Sequence, residues 1–395
     1  MMNNLKIIML WGAVFASTMA LQAQTPLEQF LSKAHDNAFT AAMHAEAAAR
    51  IAETRSNNNL ENPEAEYAYM PGIEDTDGKR MSYGISQRID WPGEYIARAK
   101  YNNLERQQAT AEYSAERREF MLRLKLLSYE IIHAQKSQQL LDRQYDNARQ
   151  VHELTQKRLE IGEATSLDLN NARINLTTSN TARLQGLSQI ETKRQQLTLL
   201  AGFNDFDSAR FDYLENPDMD IDSIQVMALQ QDAQILAAQI DQDKSVQNVV
   251  VTRRSTLPSF SIGVAGERIT ATDSFLGVTA GMAIPLWGGK GTVQTAKAQQ
   301  YAAELRAHTV QTEIELSFTE QANTIHQLRE SLAQYGSLRD VHDGMELLNK
   351  SFELKNVSVL EYFTNLAFYN QIEQEYLDLE LKLNQALAEL TKYRL

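Results

Sequence analysis

Residues able to do chemistry are scattered along this chain rather than gathered. Seven histidines occur, at positions 35, 44, 133, 152, 308, 326 and 342, and no two stand at a His-x-x-x-His spacing that would hold a metal from one helix face. No metal site or cofactor follows from them. There is no cysteine, which removes thiolate ligands, disulfides and lipid attachment together. Gly288-Gly-Lys290-Gly-Thr292 has a phosphate-loop flavour, but the first glycine is missing and Gly follows the lysine where Ser or Thr should coordinate magnesium. No Ser/His/Asp arrangement can be argued, so the sequence points away from an enzyme. What does recur is an acid after a turn. Arg158-Leu-Glu-Ile-Gly-Glu-Ala-Thr-Ser-Leu-Asp168 aligns without a gap on Ser351-Phe-Glu-Leu-Lys-Asn-Val-Ser-Val-Leu-Glu361. Each copy carries a turn residue (Gly162; Asn356 on the second), a Thr or Ser suited to cap a helix (Thr165, Ser358), and a carboxylate three residues on (Asp168, Glu361).

The elements around these turns are long. From Phe120 through Leu124, Leu127, Ile131, Ala134, Leu141, Tyr145 and Ala148 to Leu159, apolar residues keep the three- and four-residue alternation of a coiled-coil seam, with Gln138, His152 and Thr155 in register. One helix from Gly93 to Ile161 would reach on the order of 100 Å at ~1.5 Å per residue. The second turn, at 355–357, follows a similar seam with one register slip near Leu338. Before each long helix come two alternating segments: Ala65, Tyr67, Tyr69 and Met81–Trp91, then Pro258–Val264 and Leu276–Ile284. Their period of two reads as strands. Single helices are expected at ~25–57 and ~224–252, the first rich in alanine. The chain is therefore a tandem repeat: residues 24–203 and 224–395, joined by an acidic link at 204–223, each helix, two strands, long helix, turn, helix. The two shorter helices of a half sum to about the length of its long one, so they should stack end to end beside it.

Charge and the first residues bound the setting. With 38 basic and 51 acidic side chains the chain is an unsuitable partner for nucleic acid. Residues 1–23 have Lys6, an apolar core and small residues before Ala23, the pattern of a secretory signal peptide. Its removal leaves 37 − 51 = −14. The clearest positions of the apolar strand faces, Tyr67, Tyr83, Ile85, Phe260, Ile262, Val278 and Met282, include no charge, while Ser, Gly, Thr, Glu and Arg88 take the other faces. That alternation suits a lipid-facing outside and a wet inside, or a half-buried sheet on a soluble protein. Four strands cannot close a barrel, and lipid does not tolerate an open edge, so a membrane reading requires several copies to share one barrel.

Ile284-Pro-Leu-Trp-Gly-Gly289 at a strand-to-helix junction, Gly162-Glu-Ala-Thr-Ser-Leu-Asp168-Leu-Asn-Asn-Ala-Arg173 at the first turn, Leu199-Leu-Ala-Gly202 and the duplication itself resemble the TolC-type outer-membrane efflux family over essentially the whole chain after residue 23. The resemblance implies an α+β, mostly helical fold: long coiled-coil hairpins building a periplasmic α-barrel, and four strands per chain contributing to a twelve-strand transmembrane β-barrel in a homotrimer. It implies a passive duct in the outer membrane of a Gram-negative bacterium, served by a periplasmic adaptor and an inner-membrane pump of RND type. The adaptor would dock at the turns, on Arg158, Gly162, Thr165, Asn356 and Ser358. Asp168 and Glu361, repeated three times, would form carboxylate rings resembling the family's acidic gate; Thr364 stands where some members place a further acid. Metal cations are the expected cargo, with drugs or other amphiphiles as the alternative. A soluble periplasmic coiled-coil scaffold or adaptor is the competing reading, and detergent dependence separates the two.

Overall fold

A computed structural model describes residues 25–71, 79–215, 218–269, 273–286, 289, 291–339 and 342–395. The segment expected to be a signal peptide, the loop at 72–78, and Trp287, Gly288 and Lys290 of the sequence motifs lie outside the described residues.

The long helix is present as expected: α3, Pro92–Glu160, runs unbroken for 69 residues, about 100 Å of rise. Pro92 opens it, where a missing N–H costs nothing. The returning helix α4 is Ser166–Ala201 and stops at Gly202, whose φ of 78° is a left-handed conformation that glycine takes without strain. The two segments expected as single helices are each split. Residues ~25–57 form α1 (Pro26–Ala34) and α2 (Ala38–Ser56), because Asn37 starts a new helix with a capping box to Thr40. Residues ~224–252 form α5 (Ile221–Gln231) and α6 (Ala233–Ser255), because the Asp232 carboxylate accepts from Gln234 N and Ile235 N and caps α6. The second long helical segment comprises α7 (Thr292–Arg339) and α8 (His342–Glu353), followed after the second turn by α9 (Val359–Leu390). Among the described residues no helix is long and apolar enough to cross a membrane.

The helices form a wall one layer thick. In the half nearer the strands, α2 and α6 flank α3: Asn102 Nδ2 donates to Thr54 O (2.9 Å), and Gln247 Nε2 to Ala97 O (3.0 Å). In the half nearer the turns, α4 and α9 take those places, with Lys193 paired to Glu130 and Lys136 Nζ to Glu380 (2.7 Å). The short helices therefore stand in columns beside α3. At the crossover, α1 turns its Leu27, Phe30, Leu31 and Ala34 into a cluster with Phe120, Leu124, Ile131, Leu197 and Ala388. Here the expected seam is incomplete as a description of burial. Phe120, Leu124, Ile131 and Ala148 are buried, but Leu127, Ala134, Leu141, Tyr145 and Leu159 are only partly covered, while Met121, Leu122, Tyr129 and Ile132 are buried too. The helix is enclosed on several sides at that level, so apolar contacts wrap around it instead of following one stripe.

The strands are β1 (Glu64–Pro71), β2 (Lys79–Ile89), β3 (Ser259–Ile269) and β4 (Asp273–Ala283), in one antiparallel sheet of order β1-β2-β3-β4. Strand β1 has eight residues and the others eleven. The central pair joins the two halves of the chain: Ile85 faces Val264, Ile89 faces Phe260. Among the described residues, strands β1 and β4 keep one edge each without a partner.

Candidate functional site: two linked turns and a two-faced sheet

Register alone sorts the sheet into two faces. Opposed residues share a face, so Tyr67–Tyr83, Ile85–Val264–Val278 and Ile89–Phe260–Met282 form one continuous apolar surface. Apart from the half-covered Ile89, its large side chains, with Ile262 and Leu276, remain exposed, and Lys79 and Arg268 stand on the same face at its outer end. Tyr83 lies over Gly266, where any Cβ would collide with the ring. The opposite face carries Ser82, Gly84, Ser86, Ser261, Gly263 and Thr279 together with Glu64 and Glu66, and its arginines are engaged: Arg80 with Glu267, Arg88 with Glu61 (3.7 Å), Arg88 Nε donating to Ser259 Oγ (3.3 Å). At the base of the apolar face Trp91 packs on Phe260, ring centroids 6.0 Å apart.

At the far end of α3, about 100 Å of helix away, the two turns have the same geometry. Gly162 and Lys355, equivalent in the repeat, are both left-handed, with φ of 77° and 65°. Gly162 N donates to Leu159 O and Glu163 N to Arg158 O; Lys355 N donates to Phe352 O and Asn356 N to Ser351 O, the same pattern one repeat later. This is the helix-ending arrangement in which a left-handed residue lets two amides turn back onto the last carbonyls. Each following helix then opens with a capping box. Asp168 Oδ2 accepts from Thr165 N (2.9 Å) and from Thr165 Oγ1 (2.6 Å), and Asp168 N donates to Thr165 Oγ1 (3.1 Å). Glu361 Oε2 accepts from Ser358 N (2.9 Å), and Glu361 N donates to Ser358 Oγ (3.2 Å). Both carboxyls are held below their ordinary values: Asp168 by the Thr165 hydroxyl and then its amide, Glu361 by the Ser358 amide and then its hydroxyl. Capping thus keeps both groups ionised.

The structure also joins the two turns by direct contacts, which the sequence pattern did not foretell. Arg158 Nη2 donates to Phe352 O (2.7 Å) and its guanidinium lies over the Phe352 ring, 4.7 Å from the centroid. Lys355 pairs with Glu163 across the gap. Beneath them Val151, Ala172, Leu348, Phe352, Val359, Tyr362 and Leu366 form one small core. Gly162, Thr165, Asn356 and Ser358 are exposed, Asp168 is half-covered and Glu361 exposed. A signal for the link did exist: the alignment sets Glu163 opposite Asn356 and Lys355 opposite Gly162, so a charge of each sign is found on only one repeat. Among the described residues no cluster of His, Asp and Glu is arranged to hold a metal ion.

A wall of helices carrying a sheet that is apolar on one face and polar on the other is a fold found in solved outer-membrane channels. Solved structures share it. The chain is similar to the Campylobacter jejuni CmeC outer membrane channel (15% identity, 93% of this chain and 85% of that one, TM-score 0.75). It is similar to the outer membrane protein VceC of Vibrio cholerae (13%, 93% and 96%, 0.76) and to the open state of the Neisseria gonorrhoeae MtrE outer membrane channel (14%, 93% and 88%, 0.70). The family model described as outer membrane efflux protein matches residues 41–203. No curated protein matches the sequence.

Proposed function

We propose that this chain is the outer-membrane exit duct of a tripartite efflux system, a passive conduit assembled from three copies. One observation carries the reading: an exposed sheet face dominated by aromatic and aliphatic side chains, bounded by two strand edges that are unpaired among the described residues, stands on a helical wall about 100 Å long. Water penalises that face, and lipid penalises those edges unless they are paired. Joining β4 of one copy to β1 of the next satisfies both, and three copies give twelve strands around a wet lumen lined by the Ser, Gly and Thr face. The wall below continues as a periplasmic tunnel. The family match and the shared fold support the same reading.

In this assembly the linked turns form the narrow periplasmic mouth. Gly162, Thr165, Asn356 and Ser358, exposed there, meet the hairpins of a periplasmic adaptor, with Arg158 holding the two turns in register. The adaptor connects to an inner-membrane pump of RND type, which supplies the energy. Asp168 and Glu361, kept ionised by their caps, place rings of negative charge at the mouth and favour cations there. Asp168→Asn with Glu361→Gln keeps a hydrogen-bonding side chain at each cap and removes the charge. In planar bilayers that variant should lose cation preference; unchanged selectivity would leave the acids as caps alone. For cargo, metal cations are the first reading and amphiphilic drugs the second. Deleting the gene and measuring sensitivity to zinc, copper, cobalt and hydrophobic drugs decides between them, and a change confined to drugs rejects the metal.

A further inference from the structure

The apolar face of the sheet is graded from one end to the other. Register sets its residues in rows across the strands. The row nearest the helical wall holds Ile89, Phe260 and Met282, with Trp91 packed on Phe260 beneath it. Aliphatic rows follow, and then the tyrosines: Tyr67 beside Tyr83, and Tyr69 beside Met81. The Tyr67 hydroxyl donates to Met81 Sδ (3.7 Å), so its polar end leans away from the wall. Arg268 shares the row of Met81, and Lys79 stands one row further out, opposite Pro71. Among the described strand residues of this face, Lys79 and Arg268 are the only charges. Both are cations and both are exposed. At the same end of the other face the charges differ in sign, and Arg80 is paired with Glu267.

Strand geometry gives the height of these cations. Lys79 and Ile89 bound β2, 89 − 79 = 10 steps apart. At ~3.3 Å per residue and a tilt of about 40°, that is roughly 25 Å of height, the thickness of the apolar band of an outer-membrane barrel. Trp91 and Phe260 then mark the inner boundary of the band, on the side of the wall. Tyr67, Tyr69 and Tyr83 approach the outer boundary, where an amphipathic ring keeps its polar edge among the headgroups. Lys79 and Arg268 stand where acyl chains end and lipid phosphates begin. Arg268 opposes Met81, two residues from Lys79, so the cations are diagonal neighbours on adjacent strands, about 7–8 Å apart. One phosphate is within reach of both: the guanidinium fork takes two oxygens and the ammonium a third.

We propose that Lys79 and Arg268 form a binding site for a lipid-borne phosphate of the outer leaflet, the acyl chains of that lipid lying along Tyr83, Ile85 and Val264. The inference rests on the outer-membrane reading above and names the lipid chemistry that its sheet selects. Charge complementarity chooses the occupant. Two cations with no strand carboxylate on their face favour a headgroup of net negative charge over a zwitterionic one. The continuous apolar rows below them favour a phosphate that carries acyl chains over a free one. Three copies repeat the site around the barrel.

The test uses the whole chain, extracted from outer membranes in a non-ionic detergent and stripped of its own lipid. Bound lipid is counted by native mass spectrometry after adding diphosphoryl lipid A, the same lipid without its phosphates, or inorganic phosphate. A three-chain particle should retain the diphosphoryl form more than about tenfold over the dephosphorylated one. Lys79→Gln and Arg268→Gln should each lower that ratio and together bring it close to one. Arg88→Gln, on the opposite face of the same sheet, should leave it unchanged. Inorganic phosphate should not displace the lipid; displacement would mean a free-anion site and overturn the lipid as occupant. A three-chain particle without the preference, or a double variant that keeps it, overturns the site and leaves the duct standing. A one-chain particle soluble without detergent overturns both.

Discussion

Lys355 and Gly162 occupy one position of the repeat and adopt one left-handed conformation, yet only glycine takes it without cost. At Lys355 the side chain is retained, and its ammonium pairs with Glu163 of the other turn. Gly162→Ala should therefore destabilise the first turn by about 1 kcal/mol, seen as faster amide exchange at the start of α4 with the rest of α3 unchanged. The capping acids give a pH dependence of definite sign. Folding holds the Asp168 and Glu361 carboxyls below their ordinary values, so their contribution is complete at neutral pH. It is lost as pH falls from the usual carboxylate range through the depressed values. Amide exchange at the first turns of α4 and α9 should accelerate in that window. In Asp168→Asn/Glu361→Gln the acceleration should be absent, because nothing remains there to titrate.

At the level of elements, the link between the repeats is stitched to the wall by a buried ion pair. Lys125 of α3 pairs with Glu215, both nearly enclosed, and Thr391 Oγ1 donates to the same carboxylate (3.2 Å). Lys125→Met strands that carboxylate and should cost about 3–5 kcal/mol, lowering the thermal midpoint of the detergent-held protein. Lys125→Met with Glu215→Leu should recover most of the loss, since removing both charges removes the desolvation penalty. Nothing in the sequence flags this pair, because the partners are separated by a helix and a turn and neither sits in a periodic pattern. The long helices were legible for the opposite reason: period and length are properties of a single stretch, and α3 and α4 follow them within a few residues. The breaks at Asn37 and Asp232 were not, because a cap inside an otherwise helical composition costs little and is decided by what the neighbouring turns bury. The turns fall between. Duplication revealed Thr165, Asp168, Ser358 and Glu361 and their shared local geometry, while the contacts joining the two turns depend on the packing of α3 against α9.

On the scale of the whole molecule, one chain is an incomplete object. Its sheet exposes an apolar face and, among the described residues, two open edges. In the proposed assembly, a neighbour placed in the same orientation covers the edges and lipid covers the face. The most direct measurement is the mass of the particle extracted from isolated outer membranes, by light scattering with the detergent contribution subtracted. Three chains per particle, stable only in detergent, is the expected result and establishes the shared barrel. A monomer or dimer that stays soluble without detergent would mean that the apolar face never meets lipid, and would contradict the duct.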